Sequence, residues 1–188
     1  VMSMDNILLT GIGGYLPKKI VRNIDLDKSL NTSDEWIKKR TGIAQRHIVS
    51  ENESTSYMGK TAAEIAVNNS KIKLSEIDLI VVATSTPDYT FPSTAVKIQY
   101  DLGIKNCASF DVQAVCAGFV YAIHIAKSLM MTGGYEKAIV IGCEVFSKIL
   151  DWNDRSTCVL FGDGAGAVVL EKFKAPGWGV LTSNIHND

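Results

Sequence analysis

The sequence lacks the features that define several large classes of protein. Its four cysteines, at 107, 116, 143 and 158, never approach within nine residues of one another. That leaves no C-x-x-C pair for a zinc site or redox dithiol, so no metal is expected, and four cysteines in 188 residues do not make a disulfide-built scaffold. Charge of one sign is lacking too. With 19 Lys and Arg against 20 Asp and Glu the net charge is −1, so no global field draws the chain onto nucleic acid or an anionic membrane. The opening Val1-Met-Ser-Met-Asp5 has no cationic stretch before an apolar run, and no apolar segment reads as long enough to span a membrane. There is no Pro-, Gly- or Ser-rich linker and no repeat. What remains is an ordinary globular composition, 46% hydrophobic, with a reducing, cytoplasmic setting expected.

The pattern of apolar residues alternates between strand and helix. Residues 7–13 read as a strand, Thr32-Ser-Asp-Glu35 as a helix cap closed by Gly42, Ala44–Val49 as a strand and Ser56–Asn69 as a helix. The β-branched run Leu79–Ala83 reads as a strand covered on both faces. Further strands are expected at Ala108–Val112, Ala138–Gly142, Ala165–Leu170 and Gly179–Ile185, with helices at Thr94–Leu102 and Cys116–Thr132. Strands separated by helix-length segments predict βαβ units and a layered α/β fold.

Cys116 stands out among the reactive residue types. The segment around it reads as strand, tight turn and helix, which sets the thiol at a helix N-terminus, where unpaired N–H groups favour a thiolate. Ala114, Ala117 and Gly118 leave room for a carbonyl to approach, and the Cys116 N–H is placed to donate to an oxyanion. The following helix is apolar nearly all round and is expected to be buried between layers. Spacing alone favours reading Cys116 as a small core residue, since free cysteine is often buried. Cys107, Cys143 and Cys158 fall in or beside expected core strands. Gly11-Ile-Gly-Gly14 and Gly162-Asp-Gly-Ala-Gly-Ala167 do not complete a dinucleotide fingerprint, and the second reads as close backbone packing.

Four ordered blocks settle that ambiguity. Asp111-Val-Gln-Ala-Val-Cys-Ala-Gly-Phe119 resembles the nucleophile motif of the β-ketoacyl-[acyl-carrier-protein] synthase III family. Three other blocks, Thr32–Ile43 with Arg46-His47, Phe91-Pro-Ser93, and Asp154-Arg155 followed by Phe161–Ala167, resemble other segments of the same family in the same order. The resemblance runs over essentially all 188 residues. It implies a thiolase-like α/β/α/β/α sandwich, of which residues 1–188 would be the N-terminal half-domain. It also implies transfer of an acetyl or other short acyl group from coenzyme A to Cys116, then decarboxylative condensation with malonyl-acyl carrier protein, with ping-pong kinetics. Coenzyme A thioester is then a substrate, and no resident cofactor is expected.

By the same resemblance Trp36 and Arg155 sandwich the adenine of coenzyme A, Thr32 hydrogen-bonds beside it and Arg40 meets its phosphates, while Lys38 and Lys39 read as a solvated face. Ser85, Phe146 and Phe161 line the acyl pocket, and Phe91 reaches the pocket of a partner in a homodimer. The family's condensing histidine and asparagine are expected from a second half of the fold. Of the three histidines, His47 reads as structural, His124 lies about 12 Å along its helix from Cys116 at ~1.5 Å per residue, and His186 has no catalytic context. A lone half would expose apolar surface and fail to condense substrates. The alternatives are a non-catalytic coenzyme A-binding or dimer-forming module, and another condensing enzyme of this fold, of the hydroxymethylglutaryl-coenzyme A synthase or chalcone type.

Overall fold

The computed structural model describes residues 5–26 and 28–186. Its main sheet has five strands: β1 (Asp5–Tyr15), β4 (Leu79–Ala83), β5 (Ala108–Val112), β6 (Lys137–Val145) and β7 (Asp163–Lys174), ordered β1-β7-β6-β4-β5. The pairs β4–β5 and β4–β6 are parallel, whereas β7 runs antiparallel to β6 and to β1. A separate hairpin pairs β2 (Lys19–Arg22) with β3 (Gln45–Ile48). The helices are α1 (Asp34–Thr41), α2 (Thr55–Ser70), α3 (Thr94–Asp101) and α4 (Gly118–Gly133).

Three layers follow from which side chains each strand sends to each face. Ile80, Val82, Ile139, Ile141 and Val169 point to one side, against Ala62, Ala66 and Val67 of α2 and Ile98 of α3. Leu79, Val81, Val140, Val168 and Leu170 point to the other, against Ala122, Ala126 and Met130 of α4. Strand β4 is buried at every residue, as its unbroken apolar run predicts. The crossover β4-α3-β5 moves outward and β5-α4-β6 moves back past β4, so the two helices lie on opposite faces. The carboxyl ends of the three parallel strands therefore open together where strand order reverses, the usual place for a site in such sheets.

Close approach of α2 to the sheet depends on glycine. A Cβ on Gly11 or Gly13 would lie 2.1 Å from a backbone carbonyl of α2, that of Ala66 or Ala62. Strand β1 turns these glycines toward α2 through a bulge between Leu9 and Gly11, before which Ile7 faces α4.

Four expectations need correction. Gly179–Ile185 forms no strand; it is a strap laid across α4, with Val180 N–H on Ile7 O at 2.8 Å and Lys127 Nζ donating to Leu181 O at 3.1 Å. The helix expected from Cys116 starts later. Residues Val115–Ala117 form one 3₁₀ turn and α4 begins at Gly118, because Gly118 must press against the sheet. Burial of α4 all round is also not found, since Val120 is 53% exposed. Finally, one stretch, Val115–Gly133, is long and apolar enough to cross a membrane by length and composition. Its buried face, Ala122, Ala126 and Met130, packs on the sheet.

Candidate active site

Cys116 is exposed, whereas Cys143 and Cys158 are buried and Cys107 is half-buried. Burial pushes the thiols of these other three above the ordinary cysteine value, most strongly Cys143. The turn presenting Cys116 is strained. Val115 takes φ +46°, a region that β-branched residues avoid at a cost of about 1–3 kcal/mol. Behind it no side chain caps α4, and the 3₁₀ turn runs into the helix instead, with Ala117 N–H on Ala114 O at 3.1 Å and Gly118 N–H on Val115 O. Among the described residues the Cys116 N–H has no backbone acceptor. Gly118 fixes the turn in place, for a Cβ there would meet Ala83 Cβ at 3.3 Å, and Phe119 covers Gly142, whose Cβ would meet it at 3.2 Å. The thiol therefore stands at the carboxyl ends of β4, β5 and β6.

Asp111, quoted above only as part of the nucleophile motif, has a structural task. Its carboxylate accepts the N–H groups of Thr94 and Ala95, both at 2.8 Å, and so caps α3 from the end of β5. The segment leading into α3 carries Phe91, which is 84% exposed.

A second group of expected residues gathers on α1. Ser33 Oγ accepts Trp36 N–H at 3.0 Å and Gly42 closes the helix at φ +73°. Arg40 lies 4.3 Å and Arg155 4.9 Å from the Trp36 ring centroid, and Arg155 also donates to Asn31 O. Asn31, Thr32, Ser33, Trp36 and Arg155 line an open pocket of about 330 Å³. The Thr32 hydroxyl is buried there without a partner. A ring held between Trp36 and Arg155 needs two contacts of ~3.5 Å, about 7 Å in all, so the guanidinium closes the gap that an adenine would fill. Lys38 pairs with Asp34 at 2.8 Å on the exposed face of α1.

Phe146 and Phe161 stack on each other with centroids 4.6 Å apart and planes at 20°. Both flank Asp163, which is buried and accepts Val49 N–H, Ser147 N–H and Ser147 Oγ at 2.8, 2.9 and 2.6 Å. Gly162 lets this loop pass β3, since a Cβ would lie 3.1 Å from His47 O, which bears out close packing for this glycine. Ser85 Oγ is buried without a partner. The histidines stay away from catalytic geometry: His47 Nδ1 meets Pro17 O and His124 Nδ1 meets Ser183 Oγ at 2.8 Å. Among the described residues no cluster of side chains is able to hold a metal ion.

Sequence reading missed Glu144. The signal was available, as a lone acid directly after the apolar run Ala138–Cys143 at the carboxyl end of an inner strand.

Residues 110–188 match the family model of 3-oxoacyl-[acyl-carrier-protein] synthase III. The β-ketoacyl-[acyl-carrier-protein] synthase III of Ehrlichia canis (strain Jake) is 55% identical over 185 residues, 98% of this chain and 58% of that protein. The protein of the same description from Bradyrhizobium diazoefficiens is 53% identical over 186 residues, 96% of this chain and 57% of its own length. The crystal structure of 3-oxoacyl-[acyl-carrier-protein] synthase III from Aquifex aeolicus superposes with a TM-score of 0.85 at 48% identity, covering 88% of this chain and 54% of that one. The chain thus spans a little over half the length of the curated relatives it matches.

Proposed function

Because the chain belongs to the 3-oxoacyl-[acyl-carrier-protein] synthase III family and shares its thiolase-like fold, we propose that it carries the acyl-accepting half of a condensing acyltransferase. Cys116 takes an acetyl or other short acyl group from coenzyme A, forming a thioester, and coenzyme A leaves as the free thiol. The supporting observation is one exposed cysteine, set beside a strained Val115 in the turn that leads into α4, while the other three thiols are wholly or partly buried. The Cys116 N–H, which has no backbone acceptor among the described residues, donates to the oxyanion in this reading.

Coenzyme A enters past Trp36 and Arg155, which part to admit the adenine, with Thr32 supplying its unpartnered hydroxyl and Arg40 the charge for phosphate. Ser85 and the Phe146–Phe161 stack bound the acyl pocket and favour a short primer. Exposed Phe91 reaches the pocket of a second copy in a homodimer. Condensation with malonyl-acyl carrier protein, the initiating step of fatty acid synthesis, belongs to the whole protein, since neither His47 nor His124 is engaged at Cys116. Coenzyme A serves as substrate without a resident cofactor, and the setting is cytoplasmic.

The test is incubation of the chain with acetyl-coenzyme A, followed by peptide mass spectrometry. Acetyl on Cys116, absent in Cys116→Ala, supports the reading. Coenzyme A binding without an adduct would leave only a binding module, and an adduct on Cys107 alone would move the nucleophile elsewhere.

A further inference from the structure

Glu144 ends an apolar inner strand, and its carboxylate is engaged entirely with the loop that follows β4. Oε1 accepts Ser85 N–H at 2.7 Å, and Oε2 accepts the hydroxyls of Thr84, at 3.2 Å, and Thr86. Thr86 Oγ1 in turn accepts Val145 N–H at 2.9 Å, so both residues at the end of β6 hold the loop. From the opposite side Thr55 Oγ1 of α2 donates to Thr86 O at 2.6 Å, and Asp88 accepts from Ser54 Oγ at 3.1 Å. None of the ion pairs among the described residues includes Glu144.

That loop starts beside the turn that carries Cys116. It continues directly from Ala83, the residue against which Gly118 presses two positions after Cys116, and Thr84 N–H is bonded to Val112 O at 3.2 Å at the end of β5. It carries Ser85 with its buried, unpartnered hydroxyl, and with Val145, Lys148 and Ile149 it lines a pocket of about 330 Å³.

Resting on the acyl-transfer reading, we propose that Glu144 is a positioning residue, which acts through residues 84–86 to fix the wall beside Cys116 and so the size of acyl group that reaches the thiol. Acylation of Cys116 in the full chain is followed with acetyl- and hexanoyl-coenzyme A as alternative donors. Glu144→Ala should slow acetyl transfer on the order of tenfold and shift the acetyl-to-hexanoyl rate ratio toward hexanoyl by a similar factor. Half-saturation by coenzyme A should not move, because Trp36 lies on α1 and Arg155 in the turns before β7, away from residues 84–86. Glu144→Gln keeps an acceptor for Ser85 N–H and should stay within about threefold of the parent. Thr86→Val leaves the charge in place and should shift the ratio in the same direction by less, which keeps the test open if Glu144→Ala does not fold. A purely structural role would lower the thermal transition and leave the ratio unchanged. Parental rate and ratio in all folded variants would overturn the proposal alone, whereas a parent chain that no acyl-coenzyme A acylates would bring down both readings.

Discussion

Replacing Gly13 with alanine tests how closely α2 must seat on the sheet. The new methyl carbon would stand 2.1 Å from Ala62 O, 2.5 Å from Ala66 N and 3.0 Å from Ile65 Cβ. A tolerable C···O contact is about 3.3 Å, so α2 must withdraw by roughly 1 Å. The face it would open holds Ala62, Ala63, Ala66 and Val67, none more than 2% exposed. A radial gap of ~0.5–1 Å forfeits a quarter to a half of each dispersion contact, and overpacking against backbone belongs at the upper end of about 1–3 kcal/mol. Gly166→Ala is the matched control, since a Cβ there meets nothing within 4 Å and the substitution stiffens the unfolded chain by about 0.5 kcal/mol. Urea unfolding at equilibrium should place the two variants about 3 kcal/mol apart with similar slopes. Equal midpoints would refute the claim that glycine sets the helix-to-sheet distance.

Iodoacetamide at neutral pH should label Cys116 first in a peptide map, with Cys143 and Cys158 reacting only after denaturation, because only Cys116 is exposed. Asp163→Ala removes the acceptor of two backbone N–H groups and a hydroxyl, and should cost about 3 kcal/mol or more in denaturant unfolding. Stability should also fall in alkali. Burial holds the Cys143 thiol well above its ordinary value, so the unfolded chain ionises first; its contribution is complete below about pH 8.5 and is lost as pH rises further. Cys143→Ala should lessen that decline, read as the urea midpoint between pH 8 and 10. Arg155→Ala should weaken coenzyme A binding by about tenfold without changing the thermal transition, since its ties to Trp36 and Asn31 are on the surface.

By itself the sequence determined the elements whose physics is local. The apolar run 79–83 reads as a strand covered on both faces, which it is, and Ser33 and Gly42 bracket a helix by their capping chemistry. Tertiary structure decided the rest. Gly179–Ile185 has strand composition, yet no strand forms because these residues are taken up as a strap over Lys127 and His124 of α4. The start of α4 at Gly118 depends on a contact with Ala83, 35 residues earlier in the chain. Which face Gly11 and Gly13 present is set by a bulge, and a one-residue shift in pairing reverses every side chain beyond it. The work of Glu144 and Asp163 was hidden for the same reason: a carboxylate's role depends on the N–H groups that folding brings to it, and those come from residues far along the chain.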